Sequence, residues 1–210
     1  MRTTALLMAG GKGTRMKHSL EKPLIPICGR PMIERVLDAV QQSKKVDDII
    51  VMVSPNTPAT AERMKNVSGI RLIKTSGRGY IQDMKHVIKS EGLKTVLVIS
   101  VDLPLITPEL IDKAIAEFER SAKSTLMVAV ALAFCEQQGF YSNSLYSDRY
   151  GSIIPAGINV IDGAMIDEEE LEEEVLVLNR TEIAANINSL EDLERIREII
   201  RERETCEAPR

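Results

Sequence analysis

The sequence contains no tryptophan, and aromatic residues make up 3% of its 210 positions. Proteins that grip single-stranded nucleic acid rely on aromatic stacking platforms, so that role is excluded. A basic excess is missing too. Lys and Arg number 27 against 31 Asp and Glu, a formal net charge of −4, which supplies no field for displacing counterions from a phosphate backbone. No apolar run approaches the ~20 residues that span a bilayer, and residues 1–9 are too short for a signal h-region. The three cysteines, Cys28, Cys135 and Cys206, are far apart and lack metal-ligand spacing. That excludes a disulfide framework or a Cys/His zinc site and points to the cytoplasm. The two histidines, His18 and His86, stand alone and read as surface residues, not as catalytic bases.

What is present is a 44% hydrophobic complement drawn from Leu, Ile, Val, Ala and Met, enough for a globular core. The methionines read as core filler, and Cys28 as a small buried apolar residue. Nothing repeats at a fixed period and no low-complexity linker splits the chain. The expectation is one domain over residues 1–204, with 205–210 as a flexible tail.

The first two-thirds alternates short apolar runs with amphipathic stretches. Ala5–Ala9, Ile49–Val53, Ile70–Lys74 and Thr95–Val101 have the continuous aliphatic character of strands buried on both faces. Pro31–Gln42, Thr57–Asn66, Tyr80–Lys89 and Pro108–Ser121 read as helices between and after them. The last has Thr107 as N-cap, Pro108 at its first position and Leu110, Ile111, Ala114, Ile115 and Phe118 on one face. Such alternation predicts an α/β fold, right-handed βαβ crossovers and a mostly parallel central sheet flanked by helices.

Beyond residue 121 the pattern loosens. Leu126–Phe134 and Ile153–Ile161 are apolar, the latter with Pro155 and Gly157 inside it, and Gln137–Arg149 is polar and turn-like. Asp167–Glu174 carries seven acidic residues and reads as a solvated face or loop. Val175–Leu178 and Ile183–Ile187 read as two more strands. Ser189 opens a final helix with Leu190, Leu193, Ile196, Ile199 and Ile200 on its apolar side.

The chemistry gathers at the ends of the strands. The first runs into Gly10-Gly11-Lys12-Gly13-Thr14-Arg15, where glycines let backbone N–H groups approach phosphate oxygens and Lys12 and Arg15 add charge. Three glycines alone also suit a tight turn with two solvent-facing cations. The position weighs toward the phosphate reading, because open α/β sheets bind ligands at the carboxyl ends of their strands. Glu21-Lys22-Pro23-Leu24, Ser54-Pro55-Asn56-Thr57-Pro58 and Thr75-Ser76-Gly77-Arg78-Gly79-Tyr80 converge on the same edge. Asp102 ends the most apolar strand, where a carboxylate packs badly but suits a divalent cation bridging phosphate oxygens.

Taken together, Gly10–Arg15, Lys22-Pro23 and Asp102 resemble the signature of the GT-A-like nucleotidyltransferases. Within that superfamily the chain most resembles the archaeal-type guanylyltransferases that act on adenosylcobinamide phosphate. Ser54–Pro58 and Pro155-Ala156-Gly157-Ile158-Asn159-Val160 are the discriminating stretches. The resemblance implies a Rossmann-like single domain that moves GMP from GTP onto a phosphorylated small molecule with Mg²⁺. It places the triphosphate on Gly10, Gly11, Lys12, Gly13, Thr14 and Arg15, the α-phosphate on Lys22, and Mg²⁺ on Asp102. Lys12, Arg15, Lys22 and Asp102 would be the catalytic set. Ser54, Asn56 and Ser76, Gly77 and Gly79 would read guanine and ribose, and Gly157, Asn159 and Asn188 would form the acceptor side. Asn159 and Asn188 are also candidates for a second ligand to the metal. Nucleic acid and membrane are not expected partners, and a homodimer is compatible with this reading. Transfer to molybdopterin or a sugar phosphate, or GTP binding without catalysis, are the alternatives. The last is disfavoured, since a sensor has no need of an α-phosphate lysine.

Overall fold

The computed structural model describes residues 2–16, 18–141, 146–148 and 151–207, and of Arg15, Asp148 and residues 204–207 the backbone alone. The chain opens with β1 (Thr3–Met8), a two-strand hairpin of β2 (Pro26–Ile27) and β3 (Arg30–Pro31), and α1 (Met32–Gln42). Then come β4 (Asp48–Val53), α2 (Pro58–Met64), β5 (Arg71–Lys74), α3 (Tyr80–Ser90), β6 (Thr95–Ser100) and α4 (Pro108–Arg120). The remainder is β7 (Thr125–Ala131), α5 (Leu132–Gln137), β8 (Tyr146–Asp148), β9 (Gly151–Asp162), β10 (Glu173–Val177), α6 (Thr181–Ala184) and α7 (Leu190–Glu207).

The main sheet runs in the order β10-β7-β9-β6-β1-β4-β5, with β8 added on β9. The pairings β1–β4, β1–β6, β4–β5 and β7–β10 are parallel, as the βαβ pattern requires. Both faces of β1 and β6 are covered, which is why their sequences are aliphatic throughout rather than alternating. Alternate residues face two cores. Ala5, Leu7, Leu97 and Ile99 meet Ile33, Val36 and Leu37 of α1 and Ile111 and Ile115 of α4. On the other side Leu6, Ile50, Val96 and Val98 meet Met84, Val87 and Ile88 of α3. Truncating a residue such as Ile33, which is wholly buried, costs about 2–5 kcal/mol, so the layers that hold the strand ends in place are stiff. Thr107 stands at the N-cap of α4 without accepting a backbone N–H itself. Its hydroxyl instead donates to Glu109, whose carboxyl is held below the usual range by its own backbone N–H and then by this bond.

Several expectations past residue 121 need correction. The apolar run Leu126–Phe134 divides into β7 and the start of α5, and β9 enters antiparallel between β6 and β7. Ile183–Ile187 is no strand. Its first residues lie in α6, which buries Ile183 and Ala184, because a short apolar run carries no period to separate helix from strand. Glu173 and Glu174 belong to β10, an edge strand, where charge discourages further pairing. Leu190 is 50% exposed although Leu193, Ile196, Ile199 and Ile200 are buried. Cys28 is exposed and sits at φ 46° in the β2–β3 turn, so it is not a core residue. Of the polar segment Gln137–Arg149, residues 142–145 and 149 lie outside the described residues. Of the expected tail, 205–207 continue α7 and 208–210 lie outside the described residues. Among the described residues no helix is long and apolar enough to cross a membrane.

Candidate active site

The carboxyl ends of β1, β4, β5 and β6 open into a cleft of about 520 Å³. Its floor includes Met8 and Met52, and its walls are the loops that follow the four strands. Gly10 to Thr14, Lys22, Asn56, Gly77, Gly79, Asp102 and Asn188 all line it, and so do Thr75, Arg78, Tyr80, Asp83 and Ser100.

The end of the cleft next to β6 is electrostatically open. Lys22 Nζ donates to Asp102 Oδ2 at 2.7 Å, with the two side chains 17% and 15% exposed. The other carboxylate oxygen, Asp102 Oδ1, is buried without a hydrogen-bond partner. An orphaned carboxylate oxygen in a cleft is costly unless a ligand completes it. Lys22 reaches this place because Glu21 accepts from the backbone N–H groups of Ala59 and Thr60 and from the Thr60 hydroxyl, at 2.6–2.8 Å, and so caps α2. Gly13 adopts φ +61°, and a Cβ there would meet Lys22 Cβ at 3.1 Å, so only glycine lets the loop close over this lysine. Asn188 is held opposite: its backbone N–H donates to Asp192 Oδ2 at 2.8 Å, and Ile187 N–H donates to the Asp102 carbonyl at 3.0 Å. The Asn188 amide nitrogen donates to Asn186 Oδ1 at 3.1 Å, which leaves its amide oxygen for a cation. Asp102 and Asn188 thus offer hard oxygen donors, the chemistry Mg²⁺ takes. Among the described residues no group of three or more His, Cys, Asp or Glu could hold a metal, so a cation here would take the rest of its shell from water or substrate oxygens. Tyr80, 45% exposed at the rim, keeps its proton: desolvation first, and the Asp102 charge second, hold its phenol above the ordinary value.

The end next to β5 is built differently. Ser54 Oγ donates to the Gly10 carbonyl at 2.6 Å and accepts from the Asn56 backbone and side-chain N–H groups, both at 3.1 Å. Gly77, at φ +71°, packs against Asn56 and Pro55. Thr75 and Ser76 donate their hydroxyls to Asp83, at 3.1 and 2.9 Å.

Most of the residues named from the sequence therefore meet in one cleft. Ser54 and Ser76 support it from behind, their hydroxyls committed to the Gly10 carbonyl and to Asp83 of α3. Gly157 stands behind Ser100: at φ +76° it forms a bulge, and a Cβ there would lie 3.1 Å from Ser100 Cβ. Asn159 does not join the site. It sits mid-strand, paired with Val98 on one side and Met127 on the other, because the bulge at Gly157 carries the chain back into the ladder. The Arg15 side chain lies outside the described residues. His18 and His86 are both exposed and neither lines the cleft; His18 Nδ1 accepts from the Leu20 backbone. Ser100 and Asp83 carry no role in the sequence reading, and Tyr80 enters it only where the Thr75–Tyr80 loop meets the helix that follows. For Asp83 the signal was there in two hydroxyl residues, Thr75 and Ser76, one loop upstream.

Residues 5–206 match the MobA-like NTP transferase domain. The chain belongs to that family. A curated relative, the adenosylcobinamide-phosphate guanylyltransferase of Methanocaldococcus jannaschii, is 37% identical over 193 residues, covering 90% of this chain and 93% of that protein. The bifunctional protein GlmU of Bacillus cytotoxicus is 35% identical over 127 residues, which is 60% of this chain and 28% of that larger protein. Among solved structures, CMP:2-keto-3-deoxy-manno-octonic acid synthetase complexed with CTP superposes with a TM-score of 0.72 at 13% identity, covering 97% of this chain and all (100%) of that one. Molybdopterin-guanine dinucleotide biosynthesis protein A from Archaeoglobus fulgidus gives 0.66 at 17% identity, with 95% and 99% covered. At such identities the structures show the shared fold. As a MobA-like transferase, the protein is a nucleotidyltransferase.

Proposed function

We propose that this MobA-like transferase moves GMP from GTP to adenosylcobinamide phosphate, giving adenosylcobinamide-GDP and pyrophosphate. The observation that carries the reading is the Lys22–Asp102 pair with its unpaired Oδ1, set beside the Gly10–Thr14 loop in one cleft. The acceptor is supported by the likeness to the Methanocaldococcus guanylyltransferase, which runs almost end to end along both chains.

In this reading the backbone N–H groups of Gly10, Gly11 and Gly13 cradle the triphosphate, with Lys12, Thr14 and Arg15 around it. Lys22 leaves Asp102 for the α-phosphate and draws charge from the phosphorus under attack. Asp102 and Asn188 hold Mg²⁺, which when bound screens the triphosphate and the departing pyrophosphate. Asn188 borders the acceptor, with Gly157 backing that wall from behind Ser100, and Ser54, Asn56, Ser76, Gly77 and Gly79 shape the nucleoside end. An oxygen of the acceptor's phosphate forms the new P–O bond in line with the bond that breaks to pyrophosphate. That oxygen carries its own charge, since the second pKa of a phosphate monoester lies near ~6, so no protein group has to remove a proton. The residues supply alignment and charge screening.

Pyrophosphate release tests this. The purified protein is given GTP or ATP with adenosylcobinamide phosphate, a hexose 1-phosphate or molybdopterin in turn. Release with GTP and the cobinamide acceptor is the expected result. Release with a hexose phosphate or molybdopterin instead moves the protein to a sibling activity, and no release with any acceptor marks a binding protein.

A further inference from the structure

Asp83 is a carboxylate placed where a polyphosphate would not want one. It is 8% exposed, yet it lines the cleft. Its oxygens are fixed by two hydroxyls, Thr75 Oγ1 on Oδ2 at 3.1 Å and Ser76 Oγ on Oδ1 at 2.9 Å. Thr75 is itself within 3.2 Å of the Val53 carbonyl at the end of β4, and the Asp83 backbone N–H donates to Gly79 at 2.9 Å. The carboxylate is thus clamped between the ends of β4 and β5 and the first turn of α3. Asp102 follows β6, and the order β6-β1-β4-β5 puts three strand spacings between β6 and β5, about 14 Å at ~4.8 Å each. A nucleoside triphosphate whose phosphates lie along Gly10–Thr14 would reach the Asp83 end with its base.

The chemistry of that base follows from the lone pairs. A carboxylate has about four acceptor positions; Ser76 takes one on Oδ1, and Thr75, whose single proton is shared between Oδ2 and the Val53 carbonyl, takes at most one on Oδ2. Each oxygen keeps at least one acceptor position, and the residue lines the cleft while 8% exposed. Among the common bases only guanine presents two adjacent donors, N1–H and the exocyclic N2 amine. Adenine and cytosine set a ring nitrogen acceptor beside their amine, which would face a carboxylate oxygen lone pair to lone pair. We propose that Asp83 is the residue that selects guanine, accepting from N1–H and N2–H while Thr75 and Ser76 hold it in register. This rests on the GTP reading above and names the side chain that enforces it.

The test is calorimetric titration of the wild-type protein and Asp83→Asn with GTP, ATP, ITP and XTP. ITP lacks the exocyclic amine, and XTP carries a carbonyl in its place. Wild type should bind GTP at least tenfold more tightly than ITP, the loss expected when one hydrogen bond to a charged group is removed. Asp83→Asn should weaken GTP on the order of 10²-fold, and should make XTP the preferred nucleotide, since the new amide can donate to the xanthine carbonyl and accept from N1–H. That reversal is not something a merely structural carboxylate would produce. If Asp83→Asn kept the wild-type order of GTP over ITP and XTP, the assignment would be overturned. If the variant bound no nucleotide, the wild-type comparison would decide, and equal affinity for GTP and ITP would overturn it there. A wild type with no preference for GTP over ATP would instead sink the GTP reading itself.

Discussion

At the β6 end of the cleft, Lys22 and Asp102 face each other at 2.7 Å with one carboxylate oxygen unpaired, whereas at the β5 end Thr75, Ser76 and Asp83 are already bonded to one another. The first arrangement is poised to exchange partners. A lysine that leaves its carboxylate for a phosphate frees Oδ2 to join the unpaired Oδ1 in holding a cation. The second is preformed, and a preformed acceptor pair rejects a wrong base by leaving its own groups unpaired. In the proposed reading one cleft separates turnover from choice, and substitutions at its two ends should be felt in different measured quantities.

The strongest way to sharpen that contrast is Asp102→Asn. Turnover should fall on the order of 10³-fold, because charge stabilisation during displacement is lost, while GTP affinity stays within a few-fold. Pyrophosphate release and calorimetry read the two quantities, and wild-type turnover would remove Asp102 from the chemistry. Lys22→Ala comes next. It should lower turnover on the order of 10²-fold and weaken GTP as well, since Lys22 is expected to touch the substrate in the ground state. An effect on turnover alone would mean that Lys22 never leaves Asp102 before the chemical step.

A smaller effect, far from both ends, serves as the control. Glu182 of α6 is 8% exposed and accepts from Arg203 at 2.9 Å and Arg180 at 3.4 Å. Burial pushes its carboxyl up, but its own backbone N–H and the two guanidinium groups outweigh this and leave it below the ordinary value. A lowered folded-state pKa contributes stability above the unfolded value, near ~4.3, and that stability is lost as pH falls through the folded value. Glu182→Gln should therefore cost about 1–3 kcal/mol at neutral pH, with the gap to wild type closing in acid, as urea unfolding at several pH values will read. Kinetic constants of the folded variant should not move. Smallest of all, His18→Ala and His86→Ala should leave turnover within about tenfold, because losing a true general base costs ~10²–10⁴. The acid limb of kcat/KM should follow the acceptor phosphate instead, near ~6.

The same contrast marks how far the sequence can be read. Asp102 was legible because a carboxylate closing an aliphatic strand has no packing reason to be there, and Lys22 because its neighbours match a motif. Asp83 was not, since an acidic residue in the first turn of a helix has an ordinary explanation in the helix dipole. The parallel half, β1-β4-β5-β6 with its crossover helices, could be placed within a residue or two from aliphatic runs and helical stripes. The half around β9 could not, because hydrophobic period says nothing about strand direction and Gly157 reads as any loop glycine until its bulge is seen. Asn159 is paired within the ladder and does not line the cleft, although it stands two residues from Gly157 in sequence.

The most direct test of the separation between turnover and choice is the ratio of kcat/KM for GTP to that for ATP, measured in wild type and in Asp102→Asn with the cobinamide acceptor. Both rate constants should drop by about the same factor, on the order of 10³, leaving the ratio unchanged within error. A collapse of that ratio in Asp102→Asn would show that the β6 end also chooses the base, and would contradict the division of labour proposed here.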